Sequence, residues 1–116
     1  AGGVLSGRYT FEQRAAAGPR FVNRPHYYGR YWSGRTFDAV QRYRRIADHH
    51  STDLVSLAYR FLLWHPDIDS VVIGPGTVEH LEAAVSARRG PVSLPELMEI
   101  DDAHRELCGT DTHYAR

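Results

Sequence analysis

Two glycine-rich turns are the residues of this chain best suited to chemistry, and the chemistry they suit is anion binding. In Val71-Val72-Ile73-Gly74-Pro75-Gly76-Thr77-Val78-Glu79-His80-Leu81-Glu82 a β-branched run stops at a turn, and a threonine then opens an amphipathic helix. The first N–H groups of a helix lack partners within it and the helix dipole is positive there, so such a junction can seat a phosphate. Its glycines let the backbone approach an anion closely. A second turn, Ala1-Gly2-Gly3-Val4-Leu5-Ser6-Gly7-Arg8-Tyr9, opens the chain. An ordinary strand-to-helix connection with no ligand is the competing reading of the first.

Charged side chains narrow the chemistry further. All 14 residues of the Lys+Arg total are arginine. The lack of lysine excludes Schiff-base chemistry and a Walker-type phosphate lysine from this chain. Arginine is the better residue for a bidentate grip on carboxylate or phosphate. Arg8 and Arg20 are candidates for a phosphate, with a solvated surface position as the alternative for each. Arg30 lies among Tyr27, Tyr28, Tyr31 and Trp32, where stacking on rings competes with ligand binding.

Seven histidines invite a metal hypothesis. His49 and His50 are adjacent, and a helix points adjacent side chains in different directions. His104 and Cys108 are four apart, but two ligands do not make a site. No His-Glu-x-x-His pattern occurs, so no metal is expected. A Cys-His nucleophile pair has no more support.

At 116 residues the chain has room for one domain. Its 14 basic and 14 acidic residues balance, so no broad footprint for nucleic acid or anionic membrane is expected. Tyr43-Arg44-Arg45-Ile46 prompts a small DNA-binding helix, but the zero net charge and the strand-turn motif speak against it. One cysteine, Cys108, cannot make an internal disulfide, which favours a reducing, cytoplasmic setting. No apolar run approaches ~20 residues and no signal peptide is visible. The chain starts without methionine, inside a motif, and reads as a piece of something longer.

The elements that must position these residues follow from period and caps. Residues 1–35 show no sustained period, and Gly18-Pro19-Arg20-Phe21-Val22-Asn23-Arg24-Pro25 reads as loop, punctuated by two prolines. Thr36 offers an N-cap to a helix carrying Phe37, Val40, Tyr43, Ile46 and Ala47, ending about His49. A second helix starts near Ser51–Asp53, presents Leu54, Leu57, Ala58, Phe61 and Leu62, and stops at Pro66. Ser70–Ile73 is the expected strand. Thr77 caps the next helix, which Gly90-Pro91 end, and Ser93-Leu94-Pro95-Glu96 has the spacing of a capping box. That last helix carries Leu97, Ile100, Ala103 and Leu107, and Cys108-Gly109 closes it. A lone apolar strand implies partner strands elsewhere, so the expectation is the end of a parallel α/β system, mostly helical when isolated.

Ala1 to Tyr9 resembles the loop after the seventh strand of aldo-keto reductases, and Ser70 to Leu81 resembles their eighth strand and the loop that follows. The helices Phe37–His49, Asp53–His65 and Leu94–Cys108 fall in the family's order. Pro19-Arg20-Phe21, Arg30-Tyr31-Trp32 and Tyr114-Ala115-Arg116 are similar to motifs of the aflatoxin-aldehyde and succinic-semialdehyde reductase branch. The resemblance implies the C-terminal segment of a (β/α)8 TIM barrel that reduces aldehydes or ketones with NADPH. Residues 1–35 would be its cofactor and substrate loop and 36–65 its helices. Residues 70–90 would hold strand eight and a helix, and 93–116 the C-terminal helix and tail.

Active sites of that fold lie at the C-terminal ends of the strands, with phosphate sites favoured after strands seven and eight. By the resemblance, Gly2, Gly3, Leu5 and Gly7 lie against the pyrophosphate with Arg8 and Arg20 nearby. Gly76, Thr77 and His80 hold the adenosine 2′-phosphate end, and Arg30 and Arg116 bind an anionic substrate group such as a carboxylate. Two features depart from the family. Ala83 and Ala84 stand where a polar pair near adenine is usual, and His80 stands where arginine is common. The catalytic tyrosine, lysine, aspartate and histidine belong to earlier strands, so no residue here is assigned a catalytic role. The missing N-terminal barrel strands are then a required partner. A non-catalytic nucleotide- or protein-binding module with a barrel fold is the alternative, favoured by the alanines at 83 and 84.

Overall fold

A computed structural model of the protein describes residues 2–16 and 19–109. In chain order it has a 3-10 turn (Val4–Ser6), a 3-10 segment (Phe11–Ala16) and helices α1 (Pro19–Val22), α2 (Pro25–Tyr31), α3 (Gly34–His49) and α4 (Leu54–Leu63). Helix α5 (Val78–Ser86), a 3-10 turn (Ala87–Arg89) and α6 (Leu94–Cys108) follow.

The N-terminal third differs from the loop that its sequence suggests. Pro19 and Pro25 each begin a short helix instead of punctuating a coil. Proline suits a first helical position because its missing N–H would have no partner there and its φ is already helical. Helix α3 starts at Gly34, ahead of the Thr36 cap suggested by the sequence. Ser33 takes the cap, its hydroxyl accepting from the Thr36 N–H at 3.2 Å. The helix after it opens on Asp53, which accepts from the Ser56 N–H at 2.9 Å, and it ends at Leu63, before Pro66.

Residues 70–73 form no strand. A strand exists only as part of a ladder, and the described residues offer no second strand to pair with. The alternation survives all the same: Val71 and Ile73 are half-buried, while Val72 is 98% exposed. Described residues therefore make a helical assembly, and the sheet of the expected α/β fold is not formed within them.

Two apolar clusters hold the assembly. Val4, Phe21, Trp32, Phe37, Val40 and Leu54 form the first, with Tyr9, Tyr28, Tyr31 and Tyr43 packed around it. Its rings meet edge to face, Phe21 to Trp32 at 5.0 Å and Trp32 to Phe37 at 4.9 Å. The Trp32 indole N–H donates to the Phe11 carbonyl at 2.9 Å, so this large ring is buried without leaving its polar edge unmatched. The second cluster joins Ile46, Ala47 and Leu57 to Val92, Ile100 and Ala103, where α3 packs on α6.

Candidate functional site

Val4 anchors the first glycine turn. It is 1% exposed within the aromatic cluster, and the backbone winds around it. The Ser6 N–H and hydroxyl both donate to the Gly3 carbonyl, at 3.1 and 2.7 Å, and the Gly7 N–H donates to the Val4 carbonyl at 3.1 Å. Gly3 and Gly7 have φ of 87° and 70°, left-handed conformations that cost a side-chain-bearing residue energy.

Two arginines flank this turn. The Arg8 Nη2 lies 3.1 Å from the place a Cβ on Gly3 would occupy, and its guanidinium carbon sits 4.7 Å from the Tyr9 ring centre. Arg8 is thus folded across the bare face of Gly3. From α3, the Arg44 Nη2 donates to the Gly7 carbonyl at 2.6 Å and fills the space a Gly7 side chain would need. Arg44 is a positioning residue that the sequence reading missed, since nothing local links it to a glycine 37 positions away. Gly2, Gly3, Gly7 and Arg8 are brought together as one cationic turn. Leu5 turns aside, lining an apolar groove of about 350 Å³ with Tyr43, Leu54, Leu57, Ala58 and Phe61.

The second turn is more open. Gly74, Pro75, Gly76, Thr77 and His80 are all exposed. Thr77 caps α5, its hydroxyl accepting from the His80 N–H at 3.4 Å. The Gly76 N–H donates to the His80 Nδ1 at 3.3 Å, so an incoming anion must displace the imidazole to reach that amide. The Glu79 carboxyl is held below the usual carboxylate range, chiefly by a hydrogen bond with the Thr77 side chain and by its own backbone N–H. A carboxylate complements the positive end of α5 and competes with phosphate for it.

Both turns are supported by α4, which packs against the Val4–Ser6 turn on one hand and α5 on the other. Neither of the two described hollows contains residues from both turns. Arg20 belongs to α1, but its side chain lies outside the description. Arg30 lies in α2, exposed, its guanidinium carbon 5.9 Å from the Tyr31 ring centre. Arg116 lies outside the described residues, so its convergence with Arg30 is not part of this structure.

A third grouping overturns an expectation. His49 and His50 converge, with ring centres 4.7 Å apart, and both reach Glu99 of α6. The helix ends at His49, and His50 has φ −96° and ψ 17° as its C-cap. A residue that has left the helix no longer follows the helical spacing of directions, so adjacency does not separate these two rings. Cys108 and His104, a turn apart on α6, approach at 3.2 Å between Sγ and Nε2.

A family model described as the aldo/keto reductase family matches residues 1–105. An aldo-keto reductase of Babesia bovis is 30% identical over 100 residues, covering 85% of this chain and 35% of that protein. Another, from Pseudocercospora fijiensis (strain CIRAD86), is 35% identical over 106 residues, covering 83% of this chain and 35% of its own length. The chain spans about a third of the length of the curated relatives it matches.

Proposed function

The chain belongs to the aldo/keto reductase family, and from that premise we propose that the polypeptide carrying it is an NADPH-dependent, cytoplasmic oxidoreductase that reduces small aldehydes or ketones. NADPH supplies the hydride. This segment contributes the cofactor's phosphate contacts and the closing part of the (β/α)8 barrel, while the catalytic tetrad comes from the strands that precede it. The branch that reduces aflatoxin aldehyde and succinic semialdehyde is the closest fit to the motifs around Arg20, Arg30 and Arg116.

The observation that carries the reading is the cationic turn. Left-handed Gly3 presents a backbone face without a Cβ atom, with Arg8 lying over it, and Arg44 occupies the corresponding space at Gly7. A diphosphate suits that combination of close backbone approach and fixed positive charge. At the second turn Gly76, Thr77 and His80 would receive the 2′-phosphate once the imidazole leaves the Gly76 amide. Arg30 and Arg116 would take a carboxylate on the substrate. Exposed apolar residues support the missing strands as partner: Val72, Val78, Leu81 and Val85 are uncovered around the expected eighth strand and on α5.

The test is turnover by the intact polypeptide, followed as loss of reduced nicotinamide with a small carboxylated aldehyde. Reduction that needs NADPH and slows on Arg30→Ala, through a raised KM, supports the reading. NADPH binding with no turnover of any aldehyde or ketone would favour the non-catalytic nucleotide-binding alternative. Absence of NADPH binding would overturn both.

A further inference from the structure

The geometry points to a divalent-metal site, of the kind that takes Zn2+, built from His49, His50 and Glu99 where the end of α3 meets α6. It lies apart from the two glycine turns and does not rest on the proposed reductase activity.

Three potential ligand atoms, one from each residue, lie within 4.8 Å of one another. His50 Nε2 is 3.0 Å from the Glu99 Oε1, and His49 Nδ1 is 3.2 Å from the same oxygen. Ligand atoms on a tetrahedral zinc are separated by roughly 3.3 Å, given bonds of about 2.0–2.1 Å. Two of the three edges are therefore near the required length already. The third, between the histidines, is at most 4.8 Å, and closing it takes a movement of His49, whose side chain is 71% exposed. Imidazole nitrogens with one carboxylate are a donor set for Zn2+, in preference to the all-oxygen sets that Ca2+ and Mg2+ prefer.

Its construction favours pre-organisation. His50 is partly buried with a side chain 19% exposed, and it is fixed as the C-cap by bonds from its N–H to the Ile46 and Asp48 carbonyls. Glu99 projects from the middle of α6, beside Ile100, which is buried in the α3–α6 core. His49 and Glu99 also line an open hollow of about 440 Å³ with Arg42, Arg45 and Asp102, through which an ion enters and water completes its coordination. A bound ion would tie α3 to α6 alongside their apolar core and the Arg42–Glu106 ion pair.

The competing account is a surface cluster of histidine–carboxylate hydrogen bonds with no ion. The experiment is a Zn2+ titration of the intact polypeptide against a chromophoric chelator, with Co2+ absorption as a report on coordination. The expected result is one equivalent bound, weakened at least about tenfold by His49→Asn, by His50→Asn and by Glu99→Gln. His104→Asn, at the neighbouring Cys108 pair, should leave affinity unchanged, and the Co2+ spectrum should change with His50→Asn. No binding, or binding insensitive to all three ligand substitutions, overturns the site. Loss on His104→Asn alone does the same. His49→Asn lies on the exposed rim, so it keeps the test decisive if His50→Asn fails to fold.

Discussion

Arg60 of α4 grips Glu96 of α6 with both terminal guanidinium nitrogens, Nη1 to Oε1 at 3.0 Å and Nη2 to Oε2 at 3.1 Å. Glu96 is 3% exposed, and its Oε2 also accepts from the Ser93 N–H at 2.7 Å, completing the capping box at the start of α6. The same arginine donates to the carbonyls of Gly90 and Pro91. One side chain thus ties α4, the start of α6 and the segment that leads into it. Arg60→Ala leaves a buried carboxylate without its counter-ion and should cost about 3–5 kcal/mol of stability. Chemical denaturation of the two proteins measures the difference.

Glu96 should also set part of the acid limit. Burial pushes its carboxyl up, but hydrogen bonds from Ser93 and Arg60 and the Arg60 charge outweigh burial, leaving it below the usual carboxylate range. A carboxyl depressed in the folded state stabilises the fold above its unfolded value of about 4.3. That contribution is lost as pH falls through the lower folded value. Glu96→Gln should therefore flatten the loss of stability with falling pH over that acid window, measured by thermal melts from neutral to strongly acid buffer. An unchanged acid limb would contradict the assignment.

The aromatic cluster makes a separate prediction. Phe21 is 1% exposed between Tyr9 and Trp32. Phe21→Ala should cost about 3–5 kcal/mol. Trp32→Phe, which keeps a ring but loses the bond to the Phe11 carbonyl, should cost less. Because this cluster also anchors Val4, both variants should weaken the first glycine turn, read as protease sensitivity near the N-terminal segment.

Local chemistry made some of this fold legible and long-range chemistry hid the rest. Thr77 and the Ser93–Glu96 pair cap helices through bonds to residues three positions on, which spacing reveals, and Asp53 falls at the expected Ser51–Asp53 start. Ser33, by contrast, takes the cap that spacing assigned to Thr36. Pro19 and Pro25 mislead because proline both breaks a helix interior and begins a helix, and only context separates the two. Residues 70–73 carry a strand's pattern, yet the ladder that makes a strand needs partners the described residues do not hold. Arg44 on the Gly7 carbonyl depends on packing between distant segments. The meeting of His49, His50 and Glu99 depends on the same packing and on α3 ending between the two histidines.

At the first turn, Gly7→Ala should act twice. A left-handed φ of 70° costs an alanine roughly 1–2 kcal/mol, and its methyl would displace Arg44 from the Gly7 carbonyl. Under the proposed function NADPH affinity should fall together with stability. Arg44→Ala should reproduce the loss of affinity without the backbone strain, and equilibrium titration beside thermal melting separates the two effects.

The central claim is that the turn holding Arg8 and the turn holding His80 serve one dinucleotide. Fluorescence titration of the intact polypeptide with NADPH and with NADH, for wild type, Arg8→Ala and His80→Ala, tests it most directly. The account predicts that Arg8→Ala weakens both cofactors, because both carry the diphosphate. His80→Ala should weaken NADPH alone, because only NADPH carries the 2′-phosphate. Affinities unmoved by either substitution, or moved equally for both cofactors by His80→Ala, would contradict it.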